Sequence, residues 1–63
     1  MESNQTQLQF FQHIRSILPE HISLVDEIAG LLDISNDSAY RRIRGEKQIS
    51  LDEMQKLSVH YKI

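Results

Sequence analysis

The sequence contains no cysteine, which excludes a disulfide framework and a thiolate metal site and fits a reducing compartment. One proline, two glycines and few aromatics (two Phe, two Tyr) argue against collagenous and disordered classes. No apolar run is long enough to span a bilayer, and the amino terminus lacks the basic-then-apolar pattern of a secretion signal. A soluble, cytoplasmic setting with no membrane association is expected. With 63 residues there is room for one domain, which hides only about 60% of the surface its unfolded chain exposes. An enzyme is not expected at this size.

Charge is sparse as well, with a formal net charge of −2, and that alone argues mildly against a nucleic-acid binder. Its distribution says more. From Met1 to Ala39 there are six acids (Glu2, Glu20, Asp26, Glu27, Asp33, Asp37) and one base, Arg15. From Tyr40 to Lys47 the balance reverses, with Arg41, Arg42, Arg44 and Lys47 against Glu46. Beyond Gln48, Asp52 and Glu53 offset Lys56 and Lys62. The segment DISNDSAYRRIRGEK, Asp33 to Lys47, thus holds four of the chain's seven bases.

Apolar spacing is helical almost throughout and predicts an all-α, compact four-helix domain over 1–63. A first helix, about 5–17, carries Leu8, Phe11, Ile14 or Arg15, and Leu18 at three-to-four spacing, widened by Phe10 and Ile17; Phe10 is assigned to the core and Phe11 to its margin. Pro19 ends this helix. The second, 24–32, follows the cap Ser23, and Asp26 suits the positive end of its dipole. Its apolar side is Leu24, Val25, Ile28, Leu31 and Leu32. Gly30 within it is worth about 1 kcal/mol less than alanine, and close approach of a neighbouring backbone is the expected reason.

Ile34 then plugs the core and Ser35 caps a third helix, 36–44, which Gly45 terminates at a position where positive φ is common. The fourth, 51–61, opens on a capping box, Ser50 with Glu53, and Ile49 can staple onto Met54. Leu51, Met54, Leu57 and Tyr61 mark its buried stripe.

About three residues join the second and third helices, a helix-turn-helix spacing that leaves the later helix prominent enough to enter a major groove. On a wheel of about 100° per residue, Ala39 and Ile43 point inward. Asp37, Arg41 and Arg44 fall opposite, flanked by Ser38 and Tyr40. Arg42 lies beside the core, its stem packing while its guanidinium reaches outward. Arginine suits guanine, asparagine adenine and aspartate cytosine, whereas Tyr40, Arg42 and Lys47 suit phosphate contacts. The loop GEKQ and the capped helix ends add backbone N–H donors. The competing reading is a solvated amphipathic helix with Asp37 and Arg41 as an ordinary i,i+4 pair.

With Ile28-Ala29, Leu32, Ile34-Ser35, Ala39, Ile43 and Gly45, followed by ISLDEMQKL, the stretch from Leu24 to Tyr61 resembles a lambda-repressor-like helix-turn-helix domain of the Cro/Xre type. The resemblance implies duplex DNA as partner, with Asn36, Asp37, Ser38 and Arg41 facing bases and Tyr40, Arg42, Arg44, Lys47 and Gln48 at the backbone or margin. Three departures stand out. Asp33 occupies the usual turn-glycine position, where aspartate tolerates left-handed geometry better than most residues. Arg42 replaces a commonly apolar residue. Relatives commonly add a fifth helix, which often helps dimerise, so this chain is expected to be the amino-terminal module of a longer regulator, monomeric by itself and dimeric only at full length.

His13, His21 and His60 are scattered and are expected to be surface residues rather than metal ligands. Glu20, Asp26 and Glu27 fit capping better than acid–base chemistry. No phosphate-binding glycine loop and no Ser-His-Asp arrangement occurs, and no cofactor is expected. Two functions follow from these residues. The first is sequence-specific duplex DNA binding as the reading module of a transcriptional regulator, with a log–log salt slope of about −4 if four or five phosphates are neutralised. The second is a protein-interaction module that keeps the helical fold without reading DNA, favoured by the acidic first two helices and the weak total charge, with a salt-insensitive apolar contact through Phe10 or the end of the fourth helix.

Overall fold

The computed structural model describes residues 2–63, with side chains from residue 5 onward. It contains four helices, α1 (Glu2–Ile17), α2 (Leu24–Leu32), α3 (Asn36–Arg44) and α4 (Leu51–Tyr61), and no strand among the described residues. Only the start of α1 departs from the expected bounds, three residues earlier. The helices close on one core of Phe11, Ile14, Leu24, Ile28, Ala29, Leu32, Ala39, Ile49 and Leu57.

Local chemistry accounts for most of the boundaries. Pro19 turns the chain after α1, and its carbonyl accepts the Ile22 N–H at 3.1 Å. Three serines cap the next three helices: Ser23 accepts from the Asp26 N–H, Ser35 from that of Ser38 and Ser50 from that of Glu53. Each such cap is worth about 1 kcal/mol. At the far ends Asp33 (φ 58°) and Gly45 (φ 83°) adopt left-handed geometry, as the turn readings require. Asp33 is held there because its own N–H and that of Ile34 both converge on the Ala29 carbonyl.

Three placements correct the sequence reading. Phe11 is the core residue and Phe10 lies at its margin, packed edge-on to Phe11 at 5.7 Å; the buried stripe of α1 runs Gln7, Phe11, Ile14 rather than through Leu8. Leu51 is 85% exposed. At the first position of α4 it falls about 120° from Leu57 around the helix, off the face defined by Leu57, Met54 and Tyr61. Gly30 has no neighbour within 4 Å of where a Cβ would stand, so no close backbone accounts for it.

The packing order places the segment of interest. α3 packs chiefly on α2 and more lightly on α1, while α4 packs on α2. Ala39 is fully buried and Ile43 packs against the core. Because those two residues point inward, the opposite side of α3 is left to solvent.

Candidate nucleic-acid interface

The outer face of α3 is exposed and arginine-rich, and almost every polar group on it is already held by a neighbour. Arg41 remains 60% exposed, its Nε in an i,i+4 ion pair with Asp37 Oδ2 at 3.2 Å. Arg44 remains 55% exposed, its Nε pairing with Glu46 at 3.1 Å and its Nη1 donating to the Tyr40 hydroxyl at 3.0 Å. That hydroxyl and the nearby Glu46 carboxylate raise the Arg44 pKa further above its ordinary value, so the guanidinium is charged at any working pH. Such exposed pairs contribute little to stability and exchange readily for other anions.

Arg42 is different. Its Nε and Nη2 donate to Glu53 Oε1 and Oε2 at 3.1 and 3.2 Å, and Nη1 donates to the Ser38 carbonyl at 3.1 Å. The side chain is only 12% exposed. The stem packs as expected, but the guanidinium turns onto α4 instead of outward, because Glu53 presents two oxygens to its planar fork. Burial alone would push the Glu53 pKa up; the Arg42 hydrogen bonds and the Ser50 N–H outweigh it and hold the carboxyl below its usual range. Glu53 therefore serves twice, in the capping box and as the tie between α3 and α4.

The other residues of the predicted surface fall into place around these. Asn36 Nδ2 donates to Asp26 Oδ1 at 2.9 Å, linking the starts of α3 and α2. Ser38 shares a 3.1 Å hydrogen bond with the Ser35 hydroxyl. Tyr40, Lys47 and Gln48 are exposed. The loop after α3 does not offer its backbone as the sequence had led us to expect. The N–H of Gly45 donates to the Arg42 carbonyl, and those of Glu46 and Lys47 to the Arg41 carbonyl, at 2.8 to 3.2 Å. These donors satisfy the carbonyls at the end of α3, so the N–H groups of residues 45–47 are not available to a phosphate.

Several contributors were not legible beforehand. Among the described residues Gln7 is the one buried polar side chain, 4% exposed, and it binds Arg42, Lys47 and Ile49 through its amide. Its signal was a polar residue at a core register, four and seven positions before Phe11 and Ile14. Asp26 and Glu27 do more than favour a helix start: the first holds Asn36, and the second accepts from the Tyr61 hydroxyl at 3.3 Å. Burial, then the Glu27 charge and that hydrogen bond, raise the Tyr61 pKa. Glu20 is exposed. His13 and His21 are exposed, and His60 packs edge-on to Tyr61 at 4.8 Å. Among the described residues no group of three or more His, Cys, Asp or Glu could hold a metal ion, and no helix is long and apolar enough to cross a membrane.

Comparison with known proteins returned no match: no family model, no curated protein and no solved structure is similar to the chain. The likeness to the lambda-repressor-like class rests on the residues quoted for it.

Proposed function

We propose that the domain reads double-stranded DNA in a sequence-specific manner, as the DNA-binding module of a transcriptional regulator. The observation that carries this reading is the position of Arg41: a majority-exposed guanidinium on the outer face of a nine-residue helix that follows a three-residue turn. An α-helix of that kind fits the major groove, which is about 12 Å wide.

The contacts within α3 divide the labour. Asp37 engages the Nε of Arg41, which leaves the two terminal amino groups of the guanidinium for the O6 and N7 acceptors of a guanine. Asp37 is thereby a support for Arg41 rather than a separate reader of cytosine. Asn36 keeps its carbonyl and a second Nδ2 hydrogen beside its bond to Asp26, the pair that adenine needs. Arg44, Tyr40, Lys47 and Gln48 supply the contacts that orient without specifying.

Charge sets the strength. With Arg42 committed to Glu53 and Arg41 assigned to a base, about two cations (Arg44, Lys47) are left for phosphates per copy, so the log–log salt slope is expected at about −2 rather than −4. The net charge of −2 adds no long-range attraction, and affinity for random duplex should be weak. The test is an NMR titration with a short duplex at low salt. Shift changes centred on residues 35–47, shrinking as salt rises, support the reading; no change at high micromolar protein overturns it.

A second reading has its own observation. Leu51 and Val59, 85% and 69% exposed, are the apolar residues that α4 leaves uncovered. A protein-interaction module would use this face and not α3. A titration with a protein partner in place of the duplex separates the two, because it would shift α1 and α4 with little dependence on salt.

A further inference from the structure

Gln7 looks out of place. It sits on the buried stripe of α1 beside Phe11, where an apolar side chain would pack without needing partners. Its amide instead reaches residues 35 to 42 positions away. Nε2 donates to the Arg42 carbonyl at 2.7 Å and the Lys47 carbonyl at 2.8 Å, and Oε1 accepts the Ile49 N–H at 2.9 Å. Only one orientation of the amide can serve two acceptors at one end and a donor at the other, so the network itself assigns the oxygen and the nitrogen.

The pattern is that of a strand partner. Bonding the carbonyl of one residue and the N–H of the residue two further on is what a neighbouring peptide does in a sheet ladder, and here a side-chain amide does it to Lys47 and Ile49. Gln48 is bracketed between them. The first half of the loop is closed by α3 itself, since Gly45, Glu46 and Lys47 donate to its last carbonyls. The second half leans on Gln7, and through the Arg42 carbonyl the same amide ties that loop to the end of α3.

Resting on the DNA-binding reading, we propose that Gln7 is a positioning residue for duplex binding. From α1 it fixes the conformation of the 45–49 loop, so that the Lys47 ammonium and Gln48 amide are set in advance against the phosphates flanking the groove that α3 enters. A loop ordered beforehand does not have to be ordered on binding. Releasing it is expected to weaken duplex binding about tenfold while α2, the turn and α3 stay as they are.

The test is a double-mutant cycle on duplex binding, with Gln7→Met and Lys47→Ala, run below the melting temperature of every variant. In the unaltered background Lys47→Ala should lower affinity for all duplexes alike and flatten the salt slope by about one unit. In the Gln7→Met background it should change neither further, because the lysine is no longer held in place. Additive losses in affinity and slope would show that Gln7 acts on stability alone and would overturn the proposal. Should Gln7→Met fail to fold, amide exchange in the unaltered protein decides: an Ile49 N–H protected to the level of the α3 amides supports the pin, and one exchanging at the rate of an open loop overturns it. A wild-type chain that binds no duplex at all overturns the functional reading, whereas binding with an additive cycle overturns only the role of Gln7.

Discussion

The two connections on either side of α3 are built by different means. The turn before it, residues 33–35, closes on bonds to its immediate neighbours: Asp33 in left-handed geometry, the Ile34 N–H on the Ala29 carbonyl, and Ser35 capping the helix that follows. The loop after it, residues 45–50, begins the same way at Gly45 and ends on the Ser50–Glu53 capping box, but between them it depends on Gln7, which belongs to α1. A segment that makes its own bonds can be recognised from a few adjacent residues. One held from a distance cannot, because its partners are chosen by how the helices pack.

Breaking the remote support should have the larger effect. Gln7→Met leaves the Lys47 carbonyl and the Ile49 N–H without their buried partner, while the Arg42 carbonyl keeps the Gly45 N–H, and single unsatisfied groups cost about 1–3 kcal/mol. Water can reach a surface loop, so a loss of about 2 kcal/mol in urea unfolding is expected, with the helix content of the native state retained.

The Arg42–Glu53 tie comes next and is sensitive to acid. Because Glu53 has a lowered pKa in the folded state, its stabilisation is present above the unfolded value of about 4.3. It is lost as pH falls through the lower folded value. Glu53→Gln should remove this acid limb, making stability flatter as pH falls below about 4.3 than in the unaltered protein. Thermal melts across that range check it, and identical acid profiles would contradict it.

Local changes should be smaller and confined. Ser35→Ala deletes the cap of α3 and should lower stability by about 1 kcal/mol, leaving the protection of the Ile49 amide unchanged relative to global unfolding. Gly30→Ala should act in the opposite sense. Its Cβ meets nothing within 4 Å and the position is helical, so the gain in helix propensity, just under about 1 kcal/mol, should appear directly as a higher melting temperature.

The same division explains how much of the molecule could be read in advance. Helix ends were legible at Ser23, Ser35 and Ser50, at Asp33 and Gly45, and at Pro19, because caps and turns are short-range chemistry. The inward placement of Ala39 was legible for the same reason, since it follows from the period of one helix. The four interactions Gln7–Lys47, Asp26–Asn36, Glu27–Tyr61 and Arg42–Glu53 were not. Their partners are 10 to 40 residues apart, and periodicity says which side of a helix a residue occupies but not what lies across from it. Arg42 shows the consequence. Its placement beside the core was read from the wheel, yet the destination of its guanidinium depended on Glu53 being carried there by α4. Phe10 and Phe11 mark a finer limit, because adjacent residues differ by about 100° and a wide apolar stripe does not say which of two phenylalanines is at its centre.

The direct trial of the account is a selection of duplexes from a random pool, run in parallel with the unaltered chain and with Arg41→Ala. Loss of a guanine preference at one position of the selected site, with the neighbouring preferences kept, is the result expected of a guanidinium that reads a base, at about 1–3 kcal/mol of discrimination. Identical selected sites from the two proteins, or no enrichment with either, would contradict it.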